Sequence, residues 1–393
     1  HVEIAANRRR GPRDMVFDDS VPTPDLDSGS FRMFMILKAL AKWGRPVFVP
    51  VYQSTPREYE TLLEKEGVQI VHLSEYKDVL AAGDFYAAIL SRAAVADAVL
   101  PTIRKTDRNV KIIFDTVDVH FLRLEREYEL TGDVKFQEEA AFRKRQEAHL
   151  AVASDQVWCV TEGDGEALRR QAPGARIKLI SNIHPPRGRG RPFDEREGLL
   201  FIGNFNHRPN TDAVHYFMHK IFPRVREAIP GAKFYVVGSY MPEEIKFHGT
   251  QEGVVVLGFV PDVDSLFESS RLFVAPLRYG AGMKGKVGQA LSYGLPVVTT
   301  PIGAEGMSLR RGHDVMVAGD QQAFAEMVIE LYRSRELWER LSENGYKHVA
   351  EQFAPHVVEK NIHAALTALG RGERPIQAET NLNVLTEESL QIS

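Results

Sequence analysis

Residues 278–307 read RYGAGMKGKVGQALSYGLPVVTTPIGAEGM: a glycine-rich turn, a short helical pattern, a second turn at 293–294 and an apolar run. Gly280, Gly282, Gly285 and Gly288 let backbone amides approach a ligand. Lys284 and Lys286 put two cations at the start of the helix that follows. Glycines, lysines and a helix N-terminus together describe a diphosphate site. A merely solvated loop would hold the same lysines, but not with so well-formed a helix, turn and strand directly behind it. A strand, a ligand-gripping turn and a helix in that order belong to parallel α/β sheets, whose ligands bind outside the carboxyl ends of the strands.

The same alternation extends outward in both directions. Before the linker, apolar runs at 15–19, 46–52, 68–73, 85–90, 110–115, 156–161 and 177–182 predict seven strands. Helical patterns separate them at 28–43, 57–66, 94–106, 120–130, 134–153 and 163–171. The stretch HPPRGRGRP, 184–192, is too rich in proline and glycine for regular structure. A second alternation then starts, with strands predicted at 199–204, 233–239, 254–260, 271–277, 295–301 and 314–319. Its helices fall at 210–228, 262–269, 284–293 and 321–333, followed by 335–350 and 355–368. The expected architecture is α/β: two doubly wound, Rossmann-like domains, 15–184 and 193–369, joined by a linker at 185–192 and facing each other across a cleft. A basic extension, 1–14, and a polar tail, 370–393, bracket them.

Composition narrows the function classes. With 44% hydrophobic and 26% charged residues in 393, the chain is an ordinary globular protein rather than a disordered one. A formal net charge of −4 offers no general attraction to nucleic acid, so any polyanion must be met locally. The single cysteine, Cys159, excludes an internal disulfide and leaves too few thiols for a metal cluster. It reads as a small buried hydrophobe in a reducing compartment. No run approaches 18 apolar residues, so the expectation is a soluble, cytoplasmic protein. RRRGPR, 8–13, suits either a solvated linker or a patch for the inner face of a membrane or a lipid-linked acceptor. The start at His1 and the polar tail read as part of a larger multidomain polypeptide.

Three further loops carry candidate chemistry. After the first strand comes DDSVPTPDLDSGSFRMF, 18–34. There Asp27 or Ser28 suits a helix N-cap, and the turn at Gly29 exposes amides suited equally to an anion or to sugar hydroxyls. Arg32 either points to the cleft or snorkels from a buried helix. The fifth strand ends in FDTVDVHF, 114–121. His120 can hydrogen-bond a substrate hydroxyl or a transferred group, with Asp118 orienting its ring; a packed histidine is the plainer reading. GNFNHRP, 203–209, is the loop after the second domain's first strand. Gly203, Asn204 and Arg208 can complete a phosphate site, or Arg208 can simply solvate its helix. Two D-x-D strings, at 25–27 and 262–264, suit N-capping better than a metal-dependent transferase motif.

On these residues the chain, over about 15–369, resembles the retaining, nucleotide-sugar-dependent glycosyltransferases of the GT-B fold known as family 4 or group 1. That family carries an Arg or Lys and then a Lys into a helix reading roughly E-A-M/L-A-x-G-x-P-V-V. The matching residues here are Lys284, Lys286, Gln289, Ala290, Leu291, Gly294 and Pro296. The resemblance implies that Lys284 and Lys286 meet a donor diphosphate, that Gly29 lies near donor and acceptor, and that His120 stands near the transferred sugar. DDSVPTPDLDSGS and DTVDVHFLR look like segments of a bacterial branch acting on surface polysaccharides. Two family glutamates, eight positions apart, correspond here to Ala281 and Gln289. Gln289 can still accept from a ribose hydroxyl, at a cost of about 1 kcal/mol relative to a carboxylate. Around Ala281 the amides of Gly280, Gly282 and Met283 can take over the sugar.

The expected function is therefore retaining transfer of a sugar from a nucleoside diphosphate sugar to a glycan or lipid-linked acceptor. No metal and no resident cofactor are expected, because the lysines and the helix N-terminus meet the charge on the departing diphosphate. The loss of both glutamates keeps a second reading open, a nucleotide-sugar binder or partner subunit without catalysis. A nucleotide-sugar 2-epimerase would need acid and base carboxylates that the second domain does not offer.

Overall fold

A computed structural model describes residues 11–52 and 56–371. Most of the basic extension and of the polar tail lies outside these residues. The first sheet contains β1 (Arg13–Asp18), β2 (Arg45–Pro50), β3 (Gln69–Ile70), β4 (Phe85–Ser91), β5 (Lys111–Asp115), β6 (Gln156–Cys159) and β7 (Ile177–Leu179). The second contains β8 (Leu199–Ile202), β9 (Phe234–Val237), β10 (Val254–Gly258), β11 (Leu272–Ala275), β12 (Val297–Thr299) and β13 (Met316–Val317). All the strand pairings within the two sheets are parallel. Helices cover both faces, which is why the central strands read as unbroken apolar runs rather than alternating ones.

The strand orders are β3-β2-β1-β4-β5-β6-β7 and β10-β9-β8-β11-β12-β13. Each sheet therefore reverses direction once, between β1 and β4 and between β8 and β11. A crevice opens at such a point because the neighbouring crossovers leave in opposite directions. The chain after β1, β8 and β11 carries three of the candidate loops, and the fourth follows β5.

Three features depart from the sequence reading. The helix Pro355–Thr367, assigned by alternation to the second domain, belongs to the first. Val358, Ile362, Ala365 and Leu366 are buried in one cluster with Met33, Ile36, Leu40 and Trp158. Lys42 pairs with Glu359 at 2.6 Å, and Arg371 pairs with buried Asp14 at 2.8 Å. Periodicity gives a helix its apolar face but not the surface that the face meets, so the sequence could not place it. The single helix expected at 210–228 is an α-helix, Arg208–Tyr216, a π turn, Phe217–Ile221, and a second helix, Phe222–Ala228. Pro223 has no N–H for the bond to residue 219, and its ring clashes with that carbonyl. The π turn absorbs the misfit. The short helices Tyr76–Ala82 and Glu243–Phe247 went unread because one or two turns show no period.

Arg32 neither reaches the cleft nor snorkels. It is 1% exposed and forms a two-pronged pair with Asp115, both bonds at 2.8 Å, while also donating to the Ile180 carbonyl. The helix Ser28–Trp43 is thereby pinned to the ends of β5 and β7.

Candidate functional site

A cleft of about 920 Å³ lies between the sheets and is lined from both. On the first-sheet side, Asp27 caps the helix Ser28–Trp43, accepting from the Ser30 N–H and the Ser30 hydroxyl, each at 2.9 Å. That cap holds Gly29 against the cleft. After β5 the chain makes a three-residue turn, with Asp118 N–H donating to the Thr116 carbonyl at 2.7 Å and Val117 at φ 61°. This conformation is rare for a β-branched residue and is strained by about 1–3 kcal/mol. It aims Asp118 at the cleft, where Oδ1 lies 2.8 Å from His120 Nε2.

His120 is the first residue of the helix His120–Thr131. Glu147, buried in the next long helix, Val134–Ala153, accepts from the backbone N–H groups of His120 and Phe121 at 2.9 and 3.2 Å. A carboxylate thus fills the orphan donors of that helix start. The Asp118 charge raises the His120 pKa above its ordinary value. Burial acts first on Asp118 and opposes ionisation, but His120 and Arg123 together win and hold its pKa well below the usual range. Burial pushes Glu147 up to about 7. The pairing thus favours the protonated form of His120 beside an ionised Asp118.

The opposite wall is the glycine-rich loop after β11. Lys284 is 9% exposed, and its ammonium donates to the carbonyls of Ala281 and Gly282 at 3.0 and 2.6 Å. Burial lowers its pKa to about 8. Lys286 donates to the Asn210 side-chain carbonyl and sits 4.6 Å over the Phe201 ring. Burial, then the charge of Lys284, lowers it to about 7. Two ammonium groups thus stand at the start of the helix Gly285–Ser292, Lys284 with Glu305 at 4.0 Å and Lys286 with no carboxylate paired to it among the described residues. The arrangement favours an anion.

The loop meets the first unit directly. A Cβ on Gly285 would stand 2.5 Å from Ser28 Oγ, and one on Gly282, at φ 65°, would stand 3.4 Å from Asp118 Cβ. Arg126 donates to the Gly280 carbonyl at 2.6 Å and to both oxygens of Glu305 at 2.6 and 2.7 Å. Glu127 accepts from Tyr279 at 3.3 Å and from Arg208 at 3.0 Å. One helix, His120–Thr131, therefore presents His120 and also clamps the facing loop.

Of the expected site residues, His120, Asp118, Gly29, Gly203, Asn204, Gly280, Ala281, Met283, Lys284, Lys286 and Gln289 line the cleft. Gly282 packs on Asp118 instead. Arg208 is drawn away from a phosphate by Glu127 and lies 4.6 Å over the Phe136 ring. In both D-x-D strings the carboxylates make protein hydrogen bonds: Asp25 accepts from Tyr59 at 3.0 Å, and Asp262 from the Asp264 N–H at 2.9 Å. Sequence reasoning missed Asn210, Arg123 and Arg126. It also missed His184, a buried cleft-lining imidazole whose pKa falls to about 4 by burial. Nothing local marks these residues, since their partners lie in other elements. Cys159 is buried, and burial pushes its thiol up to about 12, so it stays protonated and inert.

Two Rossmann-like units facing across a shared cleft define the GT-B fold, and solved structures match this one along nearly its whole length. Sucrose-phosphate synthase from Thermosynechococcus elongatus superposes with a TM-score of 0.71 at 15% identity, covering 92% of this chain and 99% of that one. HepE of Anabaena, crystallised with UDP and glucose, gives 0.69 at 14% identity, covering 91% and 100%. Residues 196–334 match the family model described as glycosyl transferases group 1, so the chain carries a group 1 glycosyltransferase domain there. A curated relative, an uncharacterized 44.6 kDa protein in the cps region of Klebsiella pneumoniae, is 23% identical over 163 residues. That match covers 39% of this chain and 42%, less than half, of the relative. Among the described residues no helix is long and apolar enough to cross a membrane.

Proposed function

We propose that the chain transfers a sugar from a nucleoside diphosphate sugar, held by the second unit, to a glycan or lipid-linked acceptor held against the first. The anomeric configuration is retained and no metal takes part. When the bond from the anomeric carbon to the diphosphate oxygen breaks, negative charge grows on the departing phosphate. Lys284, Lys286 and the N–H groups of the helix Gly285–Ser292 are fixed where that charge would form, which is the most effective use of buried donors. Protonated His120 can donate to a hydroxyl of the transferred sugar, and Asp118 holds its ring. No side-chain nucleophile is required.

The observation that carries this reading is the placement of buried Lys284 and half-buried Lys286 on the cleft wall opposite His120 and Asp118. The UDP and glucose bound by HepE and the cps setting of the curated relative support a nucleotide-sugar donor and a polysaccharide setting. Lys286→Ala should abolish donor turnover, and NMR of the product should show the donor's own anomeric configuration. Turnover that survives the substitution overturns the proposal.

Ala281 and Gln289, at the positions of the family's two glutamates, favour one alternative, a nucleotide-sugar-binding subunit without catalysis. Calorimetry that detects donor binding, combined with no transfer to any glycan acceptor, would select it.

A further inference from the structure

Away from the cleft, three histidines converge where the helix Arg208–Tyr216 meets its π turn. His215 and His219 lie four positions apart, the spacing that puts two side chains on one helical face. Their rings are parallel within 4°, with centroids 6.1 Å apart. His248, the first residue of the turn His248–Thr250, closes on both, its ring centroid 5.0 Å from His215 and 5.3 Å from His219. One ring nitrogen from each lies within 4.8 Å of the other two. None of the three lines the cleft.

We propose that His215, His219 and His248 bind a divalent transition-metal ion, with zinc the best fit to an all-imidazole set and a water or small anion in the fourth position. In a tetrahedral zinc site with Zn–N near 2.05 Å, ligand nitrogens stand about 3.4 Å apart. His215 Nδ1 and His248 Nε2 already face each other at 2.9 Å, and parting them by about 0.5 Å gives the tetrahedral spacing. The third nitrogen needs to move by about 1.4 Å at most, within reach of side-chain rotation. A ligating histidine usually gives its other ring N–H to a carboxylate or carbonyl oxygen, which fixes the tautomer. Each convergent ring has a polar neighbour beside its other nitrogen, within hydrogen-bond distance for His248 and at ion-pair distance for His215. Glu244 Oε1 stands 3.6 Å from His215 Nε2, and the Gln251 amide stands 3.1 Å from His248 Nδ1. With that amide turned so that its oxygen accepts, Nε2 of His248 is left bare for the metal.

The setting suits binding in other ways. His248 is buried against the other two rings, and neutral imidazole is the form that ligates. His219 is exposed and leaves an entry path. The π turn that Pro223 imposes sets the position of His219, and π turns recur at functional sites. A metal here would tie the end of a helix whose first turn, through Asn210, holds Lys286.

The test uses the full chain without a polyhistidine tag, stripped with a chelator and titrated with zinc chloride in a non-coordinating buffer. One equivalent should bind, and cobalt in its place should give the visible absorption of a tetrahedral site. His219→Ala, at an exposed position, should remove both signals while leaving the melting temperature of the metal-free protein unchanged. Glu244→Gln should weaken binding by about 10–100-fold, as for other partners of ligating histidines. No zinc uptake by the parent chain, or unaltered uptake by His219→Ala, overturns the proposal. Glycosyl transfer is not read in this experiment, so its outcome is independent of the function proposed above.

Discussion

His120 Nε2 lies 2.8 Å from Asp118 Oδ1, on a loop whose Val117 holds a left-handed φ of 61°. The pair costs backbone strain to build and favours the cationic form of a ring that lines the cleft. His120→Ala is expected to lower kcat about 10–100-fold, the worth of one charge-assisted hydrogen bond, with little change in donor KM. In Asp118→Asn the His120 pKa loses its largest upward influence and falls. The kcat limb set by its protonated form should then move to lower pH, read from pH–rate profiles of both proteins. Coincident profiles would count against His120 acting as a cation.

The lysines give the donor site a pH dependence of definite sign. In the free protein Lys286 and Lys284 titrate at about 7 and about 8, below their ordinary range, and only the ammonium forms attract a diphosphate. A bound diphosphate raises both values. Binding must therefore take up protons, and donor affinity should fall as pH rises through 7 to 9, by up to about tenfold per pH unit for each lysine involved. Calorimetry in two buffers of different ionisation enthalpy measures the uptake directly. A flat affinity across that range would remove the lysines from the diphosphate.

Ser28 and Gly285 mark one of the points where the two units meet at the cleft. A Cβ added to Gly285 would lie 2.5 and 2.6 Å from Ser28 Oγ and Cβ, whereas its next neighbour, Asn182, is at an ordinary 3.7 Å. Gly285→Ala should slow transfer by at least about tenfold, roughly 1.4 kcal/mol, without lowering the melting temperature. Adding Ser28→Gly in the same chain should restore the rate. A double variant as slow as the single one would show that this contact does not limit activity.

Arg32 and Asp115 should govern folding rather than chemistry. Both are fully buried and each satisfies the other. Asp115→Ala strands a buried guanidinium and is expected to cost about 3–5 kcal/mol in denaturant unfolding. Replacing both, as Arg32→Met with Asp115→Leu, removes the stranded charge and should recover at least half of that loss.

The sheets were largely legible because buried parallel strands write themselves as apolar runs, and thirteen such runs became the thirteen strands of the described residues. What escaped depends on partners distant in sequence. Nothing near Arg32 announces Asp115, 83 positions on. Arg208 sits in a plausible phosphate loop, yet its charge is claimed by Glu127 from the other unit. The glycine-rich loop could be read because its chemistry is local: backbone, lysines and a helix start within ten residues. The helix Arg126–Glu127 clamp across it could not be read, because it exists only once the units face each other.

The chain passes between the two units twice, at the linker and again where the helix Pro355–Thr367 returns to the first sheet. The two passages run side by side, with His184 N–H donating to the Phe353 carbonyl at 2.8 Å and the two rings edge to face, 6.3 Å apart. A pair of strands tied in this way behaves as a ribbon, which bends readily about one axis and resists twisting and sliding. Any motion of one unit against the other is then confined to a single swing. A cut within 185–192 would sever only one of the two threads, and the second half would still hold a helix from the core of the first.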